Sequence, residues 1–205
     1  MREASRPSSR GTGGRGRWGR GAEPPQDGPA EPLADPESVA RQICLQQLEF
    51  APRTRAELAA VLARKGVSEE AAETVLSRFA EVGLIDDALF AQMWVASRHN
   101  GRGLAGRALS QELRRKGVED EVAAAAVGTL DPEQERATAR ALVDRKLRTT
   151  RGLPVDARVR RLAGLLARKG YSAGLAFAVV REALAAEGED ERLLEQLADL
   201  DGPLG

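Results

Sequence analysis

Side chains that commonly carry enzyme chemistry are scarce in this sequence. Its 205 residues include one histidine, His99, and one cysteine, Cys44. Zinc sites usually draw on several such residues, so we expect neither a zinc site nor a histidine- or cysteine-based nucleophile. Cys44 falls on the apolar side of a predicted helix, which favours a small buried residue over a reactive thiol. No GxxxxGK[ST] phosphate-binding loop occurs. We therefore predict a protein that is not an enzyme and needs no cofactor.

Adjacent carboxylates at Asp86 and Asp87 raise the question of metal or acid–base chemistry. The pair directly precedes an apolar pattern typical of a helix, "DALFAQMWVASRH" over residues 87–99. An aspartate at that position caps the first turn, and a second one favours the helix dipole. The position therefore favours a structural role, with either Asp86 or Asp87 as the cap.

Basic side chains recur at a fixed place in the sequence. "LARKG" occurs at residues 62–66 and again at 166–170, and "LRRKG" occurs at 113–117. If these segments stack as repeats, their cations would form one basic stripe: Arg64, Lys65, Arg114, Arg115, Lys116, Arg168 and Lys169. The glycine-rich segment "SRHNGRGLAGR", predicted to be a flexible loop, adds Arg98, Arg102 and Arg107. The alternative is that most of these residues are only solvated helix ends.

The repeated phrase also predicts where helices stop and restart. Leucines four residues apart precede each phrase, as on one face of a helix. The glycine that ends each phrase suits a left-handed residue just past the helix, followed by an apolar residue in a Schellman motif. These glycines are Gly66, Gly117 and Gly170. Ser68 and Ser172 are predicted to cap the helix that follows, and Asp120 takes this role in the second repeat.

A further helix precedes each phrase, and no segment shows sustained strand alternation. The first of these helices spans about residues 37–50, the second 87–99, and the third begins at Asp131-Pro132, a cap followed by proline. We therefore predict an all-α fold of three tandem three-helix repeats in a curved, elongated array. The predicted boundaries are 36–86, 87–130 and 131–187.

The two ends of the chain differ from the repeats in composition. Residues 1–35 are rich in arginine, glycine and proline, which predicts disorder. This extension either contacts nucleic acid loosely or only adds solubility. Residues 188–205 form an acidic tail in which "DERLLEQLADL" is compatible with a short helix. The absence of a signal peptide and of a long apolar run predicts a cytoplasmic protein.

The segment "GLIDDALFAQMWVASR" at 83–98 resembles the signature of the RecX family, the regulators of the RecA recombinase. The matching residues are Gly83, Leu84, Ile85, Asp86, Asp87, Phe90, Ala91, Trp94 and Arg98. The "RTRAEL" run that leads to Gly66 and the "LRRKGV" that contains Gly117 continue the similarity, which covers about 36–186. The apolar residues of the signature, Leu84, Ile85, Phe90 and Trp94, have the spacing of a buried helical face.

This resemblance implies a non-enzymatic modulator that binds the RecA–single-stranded-DNA filament, and we expect the protein to be a monomer. It would depress RecA's ATP hydrolysis, strand exchange and co-protease activity. We expect the contacts to involve Arg98, Arg102, Arg107, Arg115 and Lys116, with Lys65 and Lys169 next. The alternatives are a helical-repeat module that binds single- or double-stranded DNA independently of RecA, weakly and with salt dependence, or a scaffold for another protein.

Overall fold

The computed structural model describes residues 35–188, and within them every regular element is helical. The predictions for residues 1–34 and 189–205 lie outside this range. Three helices form each repeat: α1 Pro36–Phe50, α2 Arg55–Arg64 and α3 Glu69–Glu81; α4 Asp87–Arg102, α5 Gly106–Arg115 and α6 Asp120–Val127; α7 Pro132–Leu147, α8 Val155–Arg168 and α9 Ala173–Ala185. A short 3₁₀ turn, Arg148–Thr150, follows α7. The all-α prediction of three three-helix units is confirmed.

Each repeat buries its own apolar core, because its three helices turn their leucine, valine and alanine faces toward one another. Leu58 and Leu62 in the first repeat, and Leu109 and Leu113 in the second, are at most 1% exposed. The second helix of each repeat therefore supplies the centre of its core. Cys44 is fully buried among the first repeat's apolar side chains, as predicted, and burial raises the pKa of its thiol.

Helix ends follow the local rules that the sequence displays. Asp86, Ser68 and Ser172 accept hydrogen bonds from the backbone N–H three residues on, as N-caps do. The prediction of Asp120 as a cap is wrong, because Glu119 occupies the capping position, without a side-chain bond. Asp120 is instead the first helical residue, and its carboxylate pairs with Arg114 at 2.5 Å.

Neighbouring repeats are joined through the ends of their second helices. Thr54, which caps α2, donates its hydroxyl to the carbonyl of Lys116 at the end of α5, over 2.6 Å. At the next junction, the N–H of Ala105 donates to the carbonyl of Lys169 at the end of α8, over 2.9 Å. The start of the second helix in one repeat thus binds the end of the second helix in the next.

The segment predicted to be a flexible loop is mostly helical. Because α4 continues to Arg102 and α5 begins at Gly106, only residues 103–105 lie between them. Gly103 ends α4 in the left-handed region at φ 63°, and its carbonyl accepts a 3.2 Å hydrogen bond from Tyr171 of the third repeat. His99 Nδ1 lies 2.9 Å from the Leu104 carbonyl, so this nitrogen is the donor. The tyrosine bond fixes the loop against the third repeat, and the histidine bond ties it to α4.

Candidate partner-binding surface

The seven predicted contact residues fall into two groups by their partners inside the protein. Four have side chains with polar or ionic partners: Arg98, Arg102, Lys116 and Lys169. Three others make no ion pair within residues 35–188: Lys65, Arg107 and Arg115. Only Arg98, Arg102 and Lys116 have a carboxylate partner that offsets part of their charge, because Lys169, like Arg115, donates to a backbone carbonyl.

Aromatic and charged side chains form one cluster where α4 meets α5. We call it the Trp94 cluster: Phe90, Trp94, Arg98, Glu112 and Lys116. The Trp94 ring stacks on Phe90 with centroids 5.6 Å apart, and its Nε1 donates to Glu112 over 2.9 Å. The Arg98 guanidinium and the Lys116 ammonium lie 4.0 and 4.1 Å from the indole centroid, within cation–π range. The cluster therefore joins α4 to α5, and its cations already have internal partners.

Glu112 is the acidic centre of this cluster. Its carboxylate lies 3.5 Å from Arg98 and 3.7 Å from Arg102, in addition to accepting the indole hydrogen bond. One carboxylate thus offsets part of the charge of two predicted contact residues. Sequence spacing does not reveal this pairing, because Glu112 is on a different helix from both arginines.

The lysines of the repeated phrase have different environments. Lys116 pairs with Glu57 of the first repeat at 2.8 Å, and both side chains are only about a fifth exposed. Lys169 donates to the carbonyl of Arg102 in the second repeat over 2.6 Å. Lys65 belongs to the first described repeat and is exposed. The prediction of one solvent-facing stripe is therefore wrong for Lys116 and Lys169, which serve the junctions.

Two arginines without ion pairs share one side of α5. Arg107, Gln111 and Arg115 are spaced four residues apart and are all exposed. We call them the α5 arginine face. The Nε of Arg115 donates only to the Gln111 carbonyl, over 3.2 Å, and neither arginine has a carboxylate partner in the described part of the chain. This arrangement suits an anionic partner surface.

Most residues of the signature segment are structural. Ile85, Phe90 and Ala91 are buried, Gly83 takes a left-handed φ of 72°, and Asp86 caps α4. The other aspartate, Asp87, accepts a 2.9 Å hydrogen bond from the backbone N–H of Arg55 and so ties the second repeat to the first.

The burial prediction is wrong for Leu84, and Trp94 is only partly buried. Leu84 is 49% exposed because it lies in the turn before the cap rather than on the buried side of α4. Leu89 and Met93, four residues apart on α4, are 53% and 54% exposed. The signature segment therefore exposes three apolar side chains: Leu84, Leu89 and Met93.

The third repeat has a basic region that the predicted site residues miss. Residues 145–169 contain nine lysines and arginines and a single acidic residue, Asp156. Three of these cations, Lys146, Arg161 and Arg168, line one cavity beside α8. A local charge count along the sequence would have found this region, since the excess of basic over acidic residues is confined to 25 residues.

A buried arginine anchors the end of the third repeat. Arg158 is 4% exposed and forms an ion pair with Glu187, which also accepts a 2.7 Å hydrogen bond from Arg151. These hydrogen bonds hold the pKa of the Glu187 carboxyl below its ordinary value of 4.5. A carboxyl whose pKa is lower in the folded state than in the unfolded state stabilises the fold at pH values above its unfolded-state pKa. This stabilisation is lost as the pH falls through the folded-state pKa.

We expect Glu187→Gln to lower the melting temperature at pH 7, because Arg158 loses its anionic partner. The variant should also lose less stability than the wild type between pH 5 and pH 3. Thermal melts followed by circular dichroism measure both effects. Glu182→Gln is the matched control, because its ion pair with Arg136 is exposed on both sides and should contribute little. Equal melting temperatures for Glu187→Gln and the wild type at pH 7 would contradict the proposed stabilising role of the Arg158–Glu187 pair.

Two further findings concern metal ions and membranes. Among residues 35–188, no group of three or more histidine, cysteine, aspartate or glutamate side chains is placed to hold a metal ion. In the same range, no helix has both the length and the apolar character needed to span a membrane.

Comparison with known proteins identifies the family. The models for the first, second and third three-helix domains of RecX match residues 40–79, 86–127 and 133–180. The chain belongs to the RecX family. Each RecX domain model begins inside the first helix of a repeat, or one residue before it, and ends within the third helix.

Individual RecX proteins agree with this assignment. The chain is 63% identical over 160 residues to the regulatory protein RecX of Streptomyces coelicolor, covering 78% of this chain and 85% of that protein. It is 57% identical over 166 residues to the regulatory protein RecX of Thermobifida fusca, covering 80% and 90%. The crystal structure of RecX from Lactobacillus salivarius aligns with a TM-score of 0.69 at 20% identity, over 73% of this chain and 97% of that one. At that identity, the structural match supports the fold.

Proposed function

We propose that this chain regulates the RecA recombinase by binding the RecA–single-stranded-DNA filament. Binding depresses RecA's ATP hydrolysis, strand exchange and co-protease activity. The observation that carries this proposal is the 63% identity to a protein named regulatory protein RecX. The regulator acts as a monomer, through contact rather than catalysis, and needs no cofactor.

The α5 arginine face and the exposed side chains of Leu84, Leu89 and Met93 are the proposed contact residues. Arg107 and Arg115 are exposed and have no carboxylate partner in the described range, so they can meet acidic groups of RecA without breaking internal pairs. Methionine and arginine are enriched in protein interfaces, and Met93 is 54% exposed. Lys65 has a supporting role, because it is exposed at the end of the array.

The remaining predicted residues have a positioning role in this proposal. Arg98, Arg102 and Lys116 hold α4 and α5 together through Glu112 and Trp94. Inhibition follows if the chain binds an inactive filament state more tightly than the active one. A ligand shifts a two-state equilibrium only by its difference in affinity for the two states.

Co-sedimentation tests this proposal directly. The protein is spun with RecA–DNA filaments formed in a non-hydrolysable ATP analogue, with RecA alone, and with DNA alone. We expect most of the protein to pellet with the filaments and little to associate with RecA alone. If DNA alone retains the protein as well as the filament does, the independent DNA-binding module becomes the better account.

A further inference from the structure

A cavity beside α8 in the third repeat is complementary to the acidic tail of the chain, residues 188–205. The cavity has a volume of about 190 Å³ and is lined by Lys146, Arg161 and Arg168, by Thr149 and Thr150, and by leucine side chains. None of its lining residues within 35–188 is acidic. The tail contains six acidic residues, five leucines and one arginine. We infer that the tail docks in this cavity and covers it against external anions.

The three cations of the cavity have no anionic partner among the described residues. All three are exposed, and none makes an ion pair within residues 35–188. The carboxylates nearby pair with other arginines. Glu187 pairs with Arg151 and Arg158. Asp156 pairs with Arg160 at 2.6 Å. The cavity therefore retains a positive charge that an acidic segment can offset.

The tail begins close to the cavity. Its first residue, Gly188, follows Glu187, which forms an ion pair with the buried Arg158. The Nε of Arg158 donates a 3.2 Å hydrogen bond to the hydroxyl of Thr150, which lines the cavity. Fully extended, the 17 residues after Gly188 span up to about 55 Å, whereas the 14 residues of α8 extend about 21 Å. The tail is therefore long enough to reach every cation of the cavity.

The end of α7 would normally repel a carboxylate, because helix C-termini carry partial negative charge on free carbonyls. Two threonine hydroxyls reduce this repulsion. Thr149 donates to the Lys146 carbonyl and Thr150 donates to the Leu147 carbonyl, each over 2.7 Å. These bonds satisfy two carbonyls at this helix end, so a carboxylate is better tolerated beside them.

The sequence of the tail suits both the charged and the apolar parts of the cavity. Acidic residues and leucines are interspersed in "ERLLEQLADLD", residues 191–201. On α8, Arg161, Leu165 and Arg168 lie on one side, and the two arginines are about 10 Å apart along the axis. Guanidinium groups bind carboxylates with two parallel hydrogen bonds, and Leu165 offers an apolar contact between them. An acidic segment that also contains leucine therefore matches this surface.

Covalent attachment makes a weak contact sufficient for docking. Exposed ion pairs are individually weak. A short tether, however, holds the tail beside the cavity at an effective concentration of the order of millimolar. An external polyanion must displace the tail, so its apparent affinity is reduced by the fraction of molecules in which the cavity is open. The tail thus regulates access to the cavity.

Zero-length cross-linking of the full chain with a carbodiimide tests the docking. The reagent joins an amine to a carboxylate in direct contact with it. The chain has four lysines: Lys65, Lys116, Lys146 and Lys169. After trypsin digestion, we expect Lys146 to be joined to the peptide 193–205, whose carboxylates all belong to the tail. The pair of Lys116 with Glu57, 2.8 Å apart, is the internal standard, and the exposed Lys65 is the negative control.

The variant Arg161→Gln/Arg168→Gln keeps Lys146 as the reporter. We expect its yield of the tail cross-link, relative to the internal standard, to fall about fivefold, because two of the three cations are lost. The matched control is Arg64→Gln/Arg78→Gln, which removes the same charge from exposed first-repeat residues and should leave the yield unchanged. Equal cross-linking of the tail to Lys146 and Lys65 would overturn the inference. So would a Lys146 cross-link that disappears on dilution, because the tail would then come from a second copy of the chain.

Anisotropy of a labelled heparin fragment, used as a polyanion probe, tests whether docking closes the cavity. Neutralising the tail by Glu195→Gln/Asp199→Asn/Asp201→Asn should raise heparin affinity about threefold. The same change in the Arg161→Gln/Arg168→Gln background should have little effect. Equal increases in both backgrounds would indicate only a change in net charge and would overturn the regulatory role.

Circular dichroism melts confirm that each variant is folded, and the single variant Arg161→Gln replaces the double variant if the latter unfolds. Neither assay contains RecA. The docking of the tail and the proposed regulation of RecA are therefore tested separately.

Discussion

Replacing Gly170 by alanine is expected to destabilise the protein by about 3 kcal/mol. The residue has φ 91°, where an alanine costs about 1–2 kcal/mol. Its added Cβ would lie 2.4 Å from the backbone nitrogen and 2.6 Å from the Cβ of Ala108, at the junction of the second and third repeats. Backbone atoms cannot move aside easily, so overpacking adds about 1–3 kcal/mol. Urea unfolding measured by circular dichroism gives the free energy of unfolding.

Gly66→Ala provides the matched control for this substitution. Gly66 ends the same phrase in the first repeat at φ 77°, but a Cβ there meets nothing within 4 Å. We expect a loss of only about 1–2 kcal/mol, from the backbone conformation alone. Gly117→Ala should resemble Gly170→Ala, because its Cβ would lie 2.2 Å from the Cβ of Ala56. Equal losses at all three glycines would show that the junctions do not constrain these positions.

Removing the α5 arginine face should weaken binding to the RecA filament. For Arg107→Ala/Arg115→Ala we expect an apparent Kd about tenfold higher than that of the wild type, which corresponds to about 1.4 kcal/mol. Both side chains are exposed and neither has an ion pair in the described range, so unfolding stability should change by less than about 0.5 kcal/mol. Filament binding is measured by co-sedimentation titration at fixed salt.

The control for this double variant is Arg64→Ala/Arg78→Ala, which removes equal charge from exposed positions in the first repeat. Its apparent Kd should stay within about threefold of the wild-type value, since long-range charge effects are screened at physiological salt. An unchanged Kd for Arg107→Ala/Arg115→Ala would remove these arginines from the proposed contact surface.

Features that depend on neighbouring residues could be predicted from the sequence. The left-handed glycines, the caps at Ser68 and Ser172 and the buried leucines each follow from a spacing of at most a few residues. For this reason, the three-helix repeats and most helix boundaries were predictable. The start of α6 was not predictable, because Glu119 and Asp120 are adjacent acidic residues. The structure places the cap at Glu119, one residue before the predicted position.

Features that depend on contacts between repeats could not be predicted. The pairing of Lys116 with Glu57 joins residues 59 positions apart, so the sequence alone shows Lys116 only as a cation at a helix end. The same holds for the loop at Gly103, which looks flexible by composition but bonds to Tyr171. Gly117 and Gly170 also lie against the preceding repeat, where a side chain would not fit. This is a second reason for glycine at these positions, besides ending the helix.

The measurement that tests the central proposal most directly is single-strand-DNA-dependent ATP hydrolysis by RecA, titrated with this protein at two salt concentrations. We predict inhibition at both. Full inhibition at far less than one molecule of this protein per RecA would indicate capping or destabilisation of filament ends. Inhibition that needs about one molecule per RecA would indicate binding along the filament. Unchanged ATP hydrolysis at saturating protein, with folding confirmed by circular dichroism, would contradict the proposal that this chain regulates RecA.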